Sequence, residues 1–204
     1  MNLLFPELIQ GVDDVKKIKC FLLTETDQRN LYIRRYSKLN GCSSSKSITH
    51  NKTQLLAKGD KKSLESFETT SDHLPEVCDC GYIFTKEDPV VTSLIPLYHR
   101  SDKDGLVELR EAESGAMWYS DFHPWKGPDR KSLAVRTPGG DWLVDMPASN
   151  CAKKDDKAHK CWVRHGRPPE ITVDKNGCTC SAGAGSIQIR GYHGFLRDGY
   201  LVSC

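Results

Sequence analysis

The stretch Leu133-Ala134-Val135-Arg136-Thr137-Pro138-Gly139-Gly140-Asp141-Trp142-Leu143-Val144-Asp145 sets two short apolar runs on either side of a proline and two glycines. Proline fixes φ near the value a turn needs, and glycine reaches positive φ at no steric cost, so the stretch reads as an antiparallel hairpin. The same pattern recurs on both sides of it. Upstream, the apolar run Val90 to Arg100 ends at Ser101-Asp102-Lys103-Asp104-Gly105 and is followed by alternating Leu106-Val107-Glu108-Leu109. Downstream, Ile171-Thr172-Val173 and Cys178-Thr179-Cys180 flank Asn176-Gly177, a dipeptide suited to a type I′ turn. A fourth hairpin is expected from Tyr192 to Leu196, Arg197-Asp198-Gly199, and Tyr200 to Val202. With no long helical pattern after residue 80, the fold class is β-rich α+β, with antiparallel hairpins forming one small C-terminal domain. All four tryptophans lie between 118 and 162, where a small β domain needs large side chains to fill its interior.

The cysteines lie in the same region. Within thirty residues the chain holds Cys151, His159-Lys160-Cys161-Trp162, His165 and Cys178-Thr179-Cys180, and an earlier Cys78-Asp79-Cys80-Gly81 repeats the C-x-C spacing. A zinc knuckle needs two thiolates on a tight turn, and a glycine after the second cysteine lets the chain bend there. In a reducing compartment, clustered cysteines are better read as metal ligands than as disulfides. The expectation is therefore one structural zinc, stapling the β domain, with ligands drawn from Cys78, Cys80, Cys151, Cys161, Cys178 and Cys180. Cys20 and Cys42 have no partner at ligand spacing and read as bystander thiols.

Residues 1–40 are expected to be helical, because Leu8, Val12, Val15, Ile18 and Leu22 recur at intervals of three and four, with Asp13 and Asp14 early and Lys16, Lys17 and Lys19 late. A second short helix is expected from Thr24 to Leu39. Residues 41–76, opening with Gly41-Cys42-Ser43-Ser44-Ser45, are polar and almost free of aromatics, so they read as a disordered linker. The expected domains are thus a helical segment over 1–40, a linker over 41–76 and a Cys/His-rich β domain over 77–204.

Composition narrows the partners. The chain has 204 residues, 29 basic and 27 acidic, for a net charge of +2. That balance gives no long-range attraction to nucleic acid or anionic lipid. No apolar run approaches the roughly 20 residues that span a bilayer. Met1-Asn2-Leu3-Leu4-Phe5-Pro6 lacks the basic and apolar regions of a signal peptide, so a cytoplasmic protein is expected.

Two catalytic readings compete with the structural metal. A nucleophilic Cys161 would need His165 or His193 as base and Asp145 or Asp174 to orient it. A hydrolytic zinc would use His159, His165 or His193 and keep one position for water. The loop Ser181-Ala182-Gly183-Ala184-Gly185-Ser186 has amides that could cradle a phosphate, but it lacks the lysine and helix of a P-loop. Its glycines serve equally to let backbone pass close to the metal knuckle or another strand.

Cys80-Gly81-Tyr82, Gly115-Ala116-Met117-Trp118, Asp141-Trp142-Leu143-Val144-Asp145, Ala148-Ser149-Asn150-Cys151, Cys161-Trp162-Val163-Arg164-His165-Gly166, Thr172-Val173-Asp174-Lys175 and Tyr192-His193-Gly194-Phe195-Leu196 resemble a group of small bacteriophage and prophage proteins of uncharacterised function. The resemblance covers residues 77–204. It implies a viral context, with the cytoplasm of an infected bacterium as the compartment, and gives no residue a catalytic role. The expected function is a phage-type accessory or binding protein with a structural zinc and an unidentified protein partner, more an interaction protein than an enzyme. The alternatives are a metal-dependent hydrolase or cysteine-based enzyme, and a weak nucleic-acid-binding zinc module using Arg164, Arg167, Arg190 and Arg197.

Overall fold

A computed structural model describes residues 16–37, 41–48, 74–156 and 158–204. The described residues form strands β1 (Lys17–Lys19), β2 (Phe21–Tyr36), β3 (Ser43–Ile48), β4 (Val90–Arg100), β5 (Leu106–Glu108), β6 (Ala116–Ser120), β7 (Ser132–Thr137), β8 (Gly140–Leu143), β9 (Val163–Arg167), β10 (Glu170–Asp174), β11 (Ile187–Ile189), β12 (Tyr192–Arg197) and β13 (Tyr200–Ser203). One 3-10 turn, Leu109–Glu111, is the sole helical element among the described residues. None of the described helices is long and apolar enough to cross a membrane.

The chain forms two compact units. One joins the described residues up to Leu22 to Glu113–Cys204, and the other is Leu23–Ala112. This division departs from the expected boundary at residue 77. β2 begins in the first unit and continues into the second, so a single strand belongs to both.

In the first unit β11, β12, β13 and β1 form an antiparallel sheet, with Ile18 opposite Leu201 and Leu196 opposite Leu201. β6, β7 and β8 pair antiparallel, and Phe21 and Leu22 lie parallel to Ala116 and Met117. β9 and β10 form a separate hairpin. Met117, Leu133, Val135, Val144, Ile171, Leu196 and Leu201 interlock in one core with Trp142 and Tyr192. Each fully buried aliphatic side chain of this kind contributes about 1.5–3 kcal/mol of transfer free energy.

In the second unit β2 pairs with β3 on one side and β4 on the other, and β4 pairs with β5. Leu31, Ile33 and Arg35 alternate on the buried face of β2, while Tyr32, Arg34 and Tyr36 alternate on the other. Arg35 is tolerated inside because its guanidinium donates to the carbonyls of Pro75 and Thr85 and stands over the Phe84 ring. Buried polar groups persist where most donors find an acceptor, and of the Arg35 donors Nε has none among the described residues.

Several expectations are corrected. Residues 17–19 and 21–36 are strand, not helix. The spacing of Ile18 and Leu22 imitates a helical stripe, but period-two alternation at Phe21–Leu23 and again at Leu31–Arg35, with the β-formers Thr24, Thr26, Tyr32 and Ile33, favours a sheet once partners exist. The remainder of the expected helix, residues 1–15, lies outside the described residues. Ser43–Ile48, expected in a linker, forms β3, because the neighbouring edge of β2 supplies hydrogen bonds that composition does not reveal. Residues 49–73 of that tract lie outside the described residues.

Three of the four expected hairpins form, as β4–β5, β7–β8 and β12–β13. The hairpin across Asn176-Gly177 does not. β10 turns back through Pro168-Pro169 onto β9, with Glu170 opposite Arg167. Asn176-Gly177 instead bends the chain toward Cys178, with the Cys178 amide on the Lys175 carbonyl at 3.2 Å.

Candidate metal centre

Four side chains of the first unit converge: Cys151, His159, Cys161 and Cys180. Their donor atoms all lie within 4.8 Å of one another, and three of the four residues are buried. His159 Nε2 is 3.0 Å from Cys151 Sγ and 3.3 Å from Cys161 Sγ, while Cys180 Sγ is 3.5 Å from Cys161 Sγ. Around a tetrahedral ion with metal–sulfur bonds of about 2.3 Å, sulfurs stand about 3.8 Å apart. The observed group is slightly tighter, so a metal could enter with small outward shifts of the sulfurs.

Local backbone sets this arrangement. Cys151 closes a turn with its amide on the Ala148 carbonyl at 2.9 Å. His159 and Cys161 follow a second turn, where the His159 amide meets the Asp156 carbonyl. Cys180 is brought alongside by Lys160 and Thr179. The Thr179 amide donates to the Lys160 carbonyl, and the Lys160 amide donates to Thr179 Oγ1, both at 2.8 Å.

The surroundings of the donors suit a metal. His159 Nδ1 donates to the Asp156 carbonyl at 2.8 Å, which fixes the tautomer and turns the Nε2 lone pair toward the sulfurs. Backbone amides of Lys153 and Ala148 point at Cys151 Sγ and Cys161 Sγ, at 3.2 and 3.3 Å. Lys175 places its ammonium on the carbonyls of Cys161, Cys180 and Ala182. Three thiolates and a neutral imidazole around a divalent cation carry a net charge of −1, and this ammonium offsets it.

Without a metal the sulfurs interfere with one another's ionisation. Burial pushes the Cys161 thiol up to about 11, with Cys180 and Cys151 adding to the rise against the opposing Ala148 amide. Burial also disfavours the Cys180 thiolate, yet the Ala182 amide and the neighbouring Cys161 and Cys151 bring that thiol below its usual value. Metal binding needs the deprotonated forms and would release protons.

A second group, Cys42, Cys78 and Cys80, belongs to the other unit, and its donor atoms also lie within 4.8 Å of one another. The six cysteines from which the ligands of a single zinc were expected are therefore divided. Cys151, Cys161 and Cys180 meet at one place, Cys78 and Cys80 meet at another, and Cys178 is in neither group. Two donors were not in the expected ligand set. His159 stands two residues before Cys161, the same spacing as the C-x-C pairs, and that was the signal available for it. Cys42 was expected to be a bystander, and no spacing could have identified it, because the position of β3, whose Ser43 carbonyl meets Cys78 Sγ at 3.5 Å, is what brings it to Cys78. Cys20 is buried in the core, where burial raises its thiol to about 12.

Of the candidates for catalysis, His159 joins the Cys/His cluster, whereas His165 and Asp145 have other partners. His165 pairs with Asp174 at 3.0 Å on the half-exposed face of the β9–β10 hairpin, and Asp145 is engaged by Arg164 rather than by a histidine. Arg164 is itself buried against Asp129, Asp145 and the Lys131 carbonyl, so it is not part of a basic face.

Beside the Cys/His cluster lies a cleft of about 570 Å³, walled by Trp142, Trp162, Asn150, Gly183, Ala184 and Ile187. Trp162 donates its indole N–H to the Val144 carbonyl, and its ring centroid is 5.7 Å from that of Trp142. The small-residue loop that sequence suggested as a phosphate cradle forms one wall, and Gly183 lies against Trp162.

Compared with protein-family models, with curated proteins and with solved structures, the chain has no significant match in any of the three.

Proposed function

We propose that this chain is a non-enzymatic, phage-type accessory or binding protein whose first unit is held by a structural zinc at Cys151, His159, Cys161 and Cys180. The observation that carries this reading is the closed set of four protein donors. Structural zinc sites use four such ligands, whereas catalytic sites have three and leave one position for water. The soft sulfur-rich donor set favours zinc over the oxygen-seeking cations. The viral context rests on the resemblance in residues 77–204, and the cleft of Trp142 and Trp162 is the natural seat for a partner because clefts of this size with aromatic walls suit recognition.

The test is the metal content of the purified full-length chain, measured with its thermal unfolding. Cys151→Ser and His159→Ala should each lose the ion of the first unit and lower the melting temperature followed by tryptophan fluorescence. Metal-loaded protein that hydrolyses ester, amide or phosphodiester reporters, with activity lost in His159→Ala, would overturn the structural role in favour of a hydrolase.

One observation favours a second reading, weak binding of single-stranded nucleic acid. In the other unit the exposed face of β2 carries Tyr32, Arg34 and Tyr36, with Arg34 over the Tyr36 ring and Arg110 over the Tyr32 ring. Aromatic rings that stack bases, combined with arginines that hold phosphates, make up sequence-tolerant single-strand sites. Anisotropy of a labelled oligonucleotide across a salt series should then show binding that is weakened by Tyr36→Ala and by Arg34→Ala. Binding unchanged in both variants would remove this reading.

A further inference from the structure

We infer that Cys42, Cys78 and Cys80 form a second, independent thiolate site for zinc, and that the protein binds two ions in place of one. The inference does not rest on the Cys151 centre, because the two groups belong to different units.

The geometry starts with a knuckle. Val77 and Ile83 form an isolated antiparallel bridge, the Cys78 amide donates to the Tyr82 carbonyl at 2.8 Å, and the Gly81 amide donates to the Cys78 carbonyl at 2.8 Å. The turn between these bonds needs Gly81 at φ +86°, a value that L side chains rarely adopt. This fold of the backbone puts Cys78 and Cys80 on one side, and the Tyr82 amide is directed at the Cys80 sulfur. Amide donors to thiolates are what a metal knuckle supplies. The third sulfur comes from a distant point of the chain. Cys42 stands immediately before β3, where its carbonyl accepts the Ser37 amide at 2.8 Å.

Apolar packing does not account for this convergence. The two residues of the bridge are exposed, Val77 at 52% and Ile83 at 70%, and Cys80 is exposed as well. A buried-thiol role would place the sulfurs in a core, as it does for Cys20. Here Cys78 is buried, Cys42 half-buried and Cys80 exposed, so the three sulfurs meet where the packed interior reaches the surface, and an ion there would crosslink β3's entry to the 74–89 segment. A thiophilic cation binds all three as thiolates. Three sulfurs fill three positions of a tetrahedral ion, and the fourth takes a donor from outside the triad, such as water or a small thiol.

Native mass spectrometry of the full-length chain, purified in zinc, counts the ions. The wild type should carry two, Cys42→Ser one, Cys80→Ser one, His159→Ala one, and the double variant Cys80→Ser/His159→Ala none. Cys80 is exposed, so its substitution tests the site without disturbing a core. A wild type with a single ion that Cys42→Ser and Cys80→Ser both retain would overturn the second site and leave the first standing. A single ion lost from both of these variants and kept in His159→Ala would support the second site and refute the first. Alkylation mapping that finds Cys42 joined to Cys78 or Cys80 as a disulfide in freshly purified, metal-treated protein would also overturn the inference.

Discussion

Replacing Arg164 with methionine should destabilise the first unit more than any exposed substitution would. The Arg164 side chain is 2% exposed and donates to Asp145 at 3.0 Å, to both oxygens of Asp129 and to the Lys131 carbonyl. Asp145, at 8% exposure, would keep only the Leu133 amide at 3.0 Å as a described partner. Removing one member of a buried charge pair costs about 3–5 kcal/mol, since the charge left behind has lost its water as well as its partner. Burial already pushes the Asp145 carboxyl above its usual value even with Arg164 present. At about 4 °C or more per kcal/mol for a domain of roughly 100 residues, the melting temperature should fall by at least about 12 °C. All four tryptophans belong to this unit, so urea titration followed by tryptophan fluorescence reports on it selectively. The double variant Arg164→Met/Asp145→Leu should recover much of the loss, because neither charge remains buried. A loss under 1 kcal/mol for the single variant, or a double variant no better than the single, would refute the reasoning.

Cys180→Ser should remove the ion of the first unit while Cys178→Ser spares it, although the two stand two residues apart, and metal analysis of both variants checks this. Gly183→Val should displace Trp162, since a Cβ at that position would lie 2.9 Å from the Trp162 ring at φ +75°; a changed fluorescence spectrum together with a lower melting temperature is expected. Asp129 has its carboxyl held below the usual value, burial opposing and the Arg164 hydrogen bonds outweighing it. Its contribution is therefore present above the ordinary Asp value of about 3.9 and lost as pH falls through the lower folded value, so the melting-temperature gap between wild type and Asp129→Asn should narrow from pH 6 toward pH 3. A gap that stays constant over that range would contradict the assignment.

The β7–β8, β4–β5 and β12–β13 hairpins were legible because each announces its turn with glycine, proline or aspartate between apolar runs. β9–β10 was hidden, since Pro168-Pro169 reads as an interruption and Asn176-Gly177 offers a stronger local turn signal nearby. β2 was misread for a related reason. Ile18 and Leu22 fit a helical period over one short window, and only pairing far away in sequence, of Ile18 with Leu201 in β13 and of Leu22 with Met117 in β6, settles the conformation. Of the site, sequence held the sulfurs but not their partition. Cys151, Cys161 and Cys180 belong together because Lys160 and Thr179 exchange hydrogen bonds, and Cys42 joins Cys78 because a hairpin returns there; both are tertiary facts. Sequence also left room for Arg164 on a basic face with Arg167, Arg190 and Arg197, whereas Asp129 and Asp145 draw it inward.

Anomalous diffraction at the zinc absorption edge, on crystals of the full-length chain, tests the central claim most directly. The account predicts a peak within about 2.0–2.3 Å of Cys151 Sγ, His159 Nε2, Cys161 Sγ and Cys180 Sγ, with no water bound to the ion. No peak at that position, or an ion held there by three of these residues and a water, would contradict it.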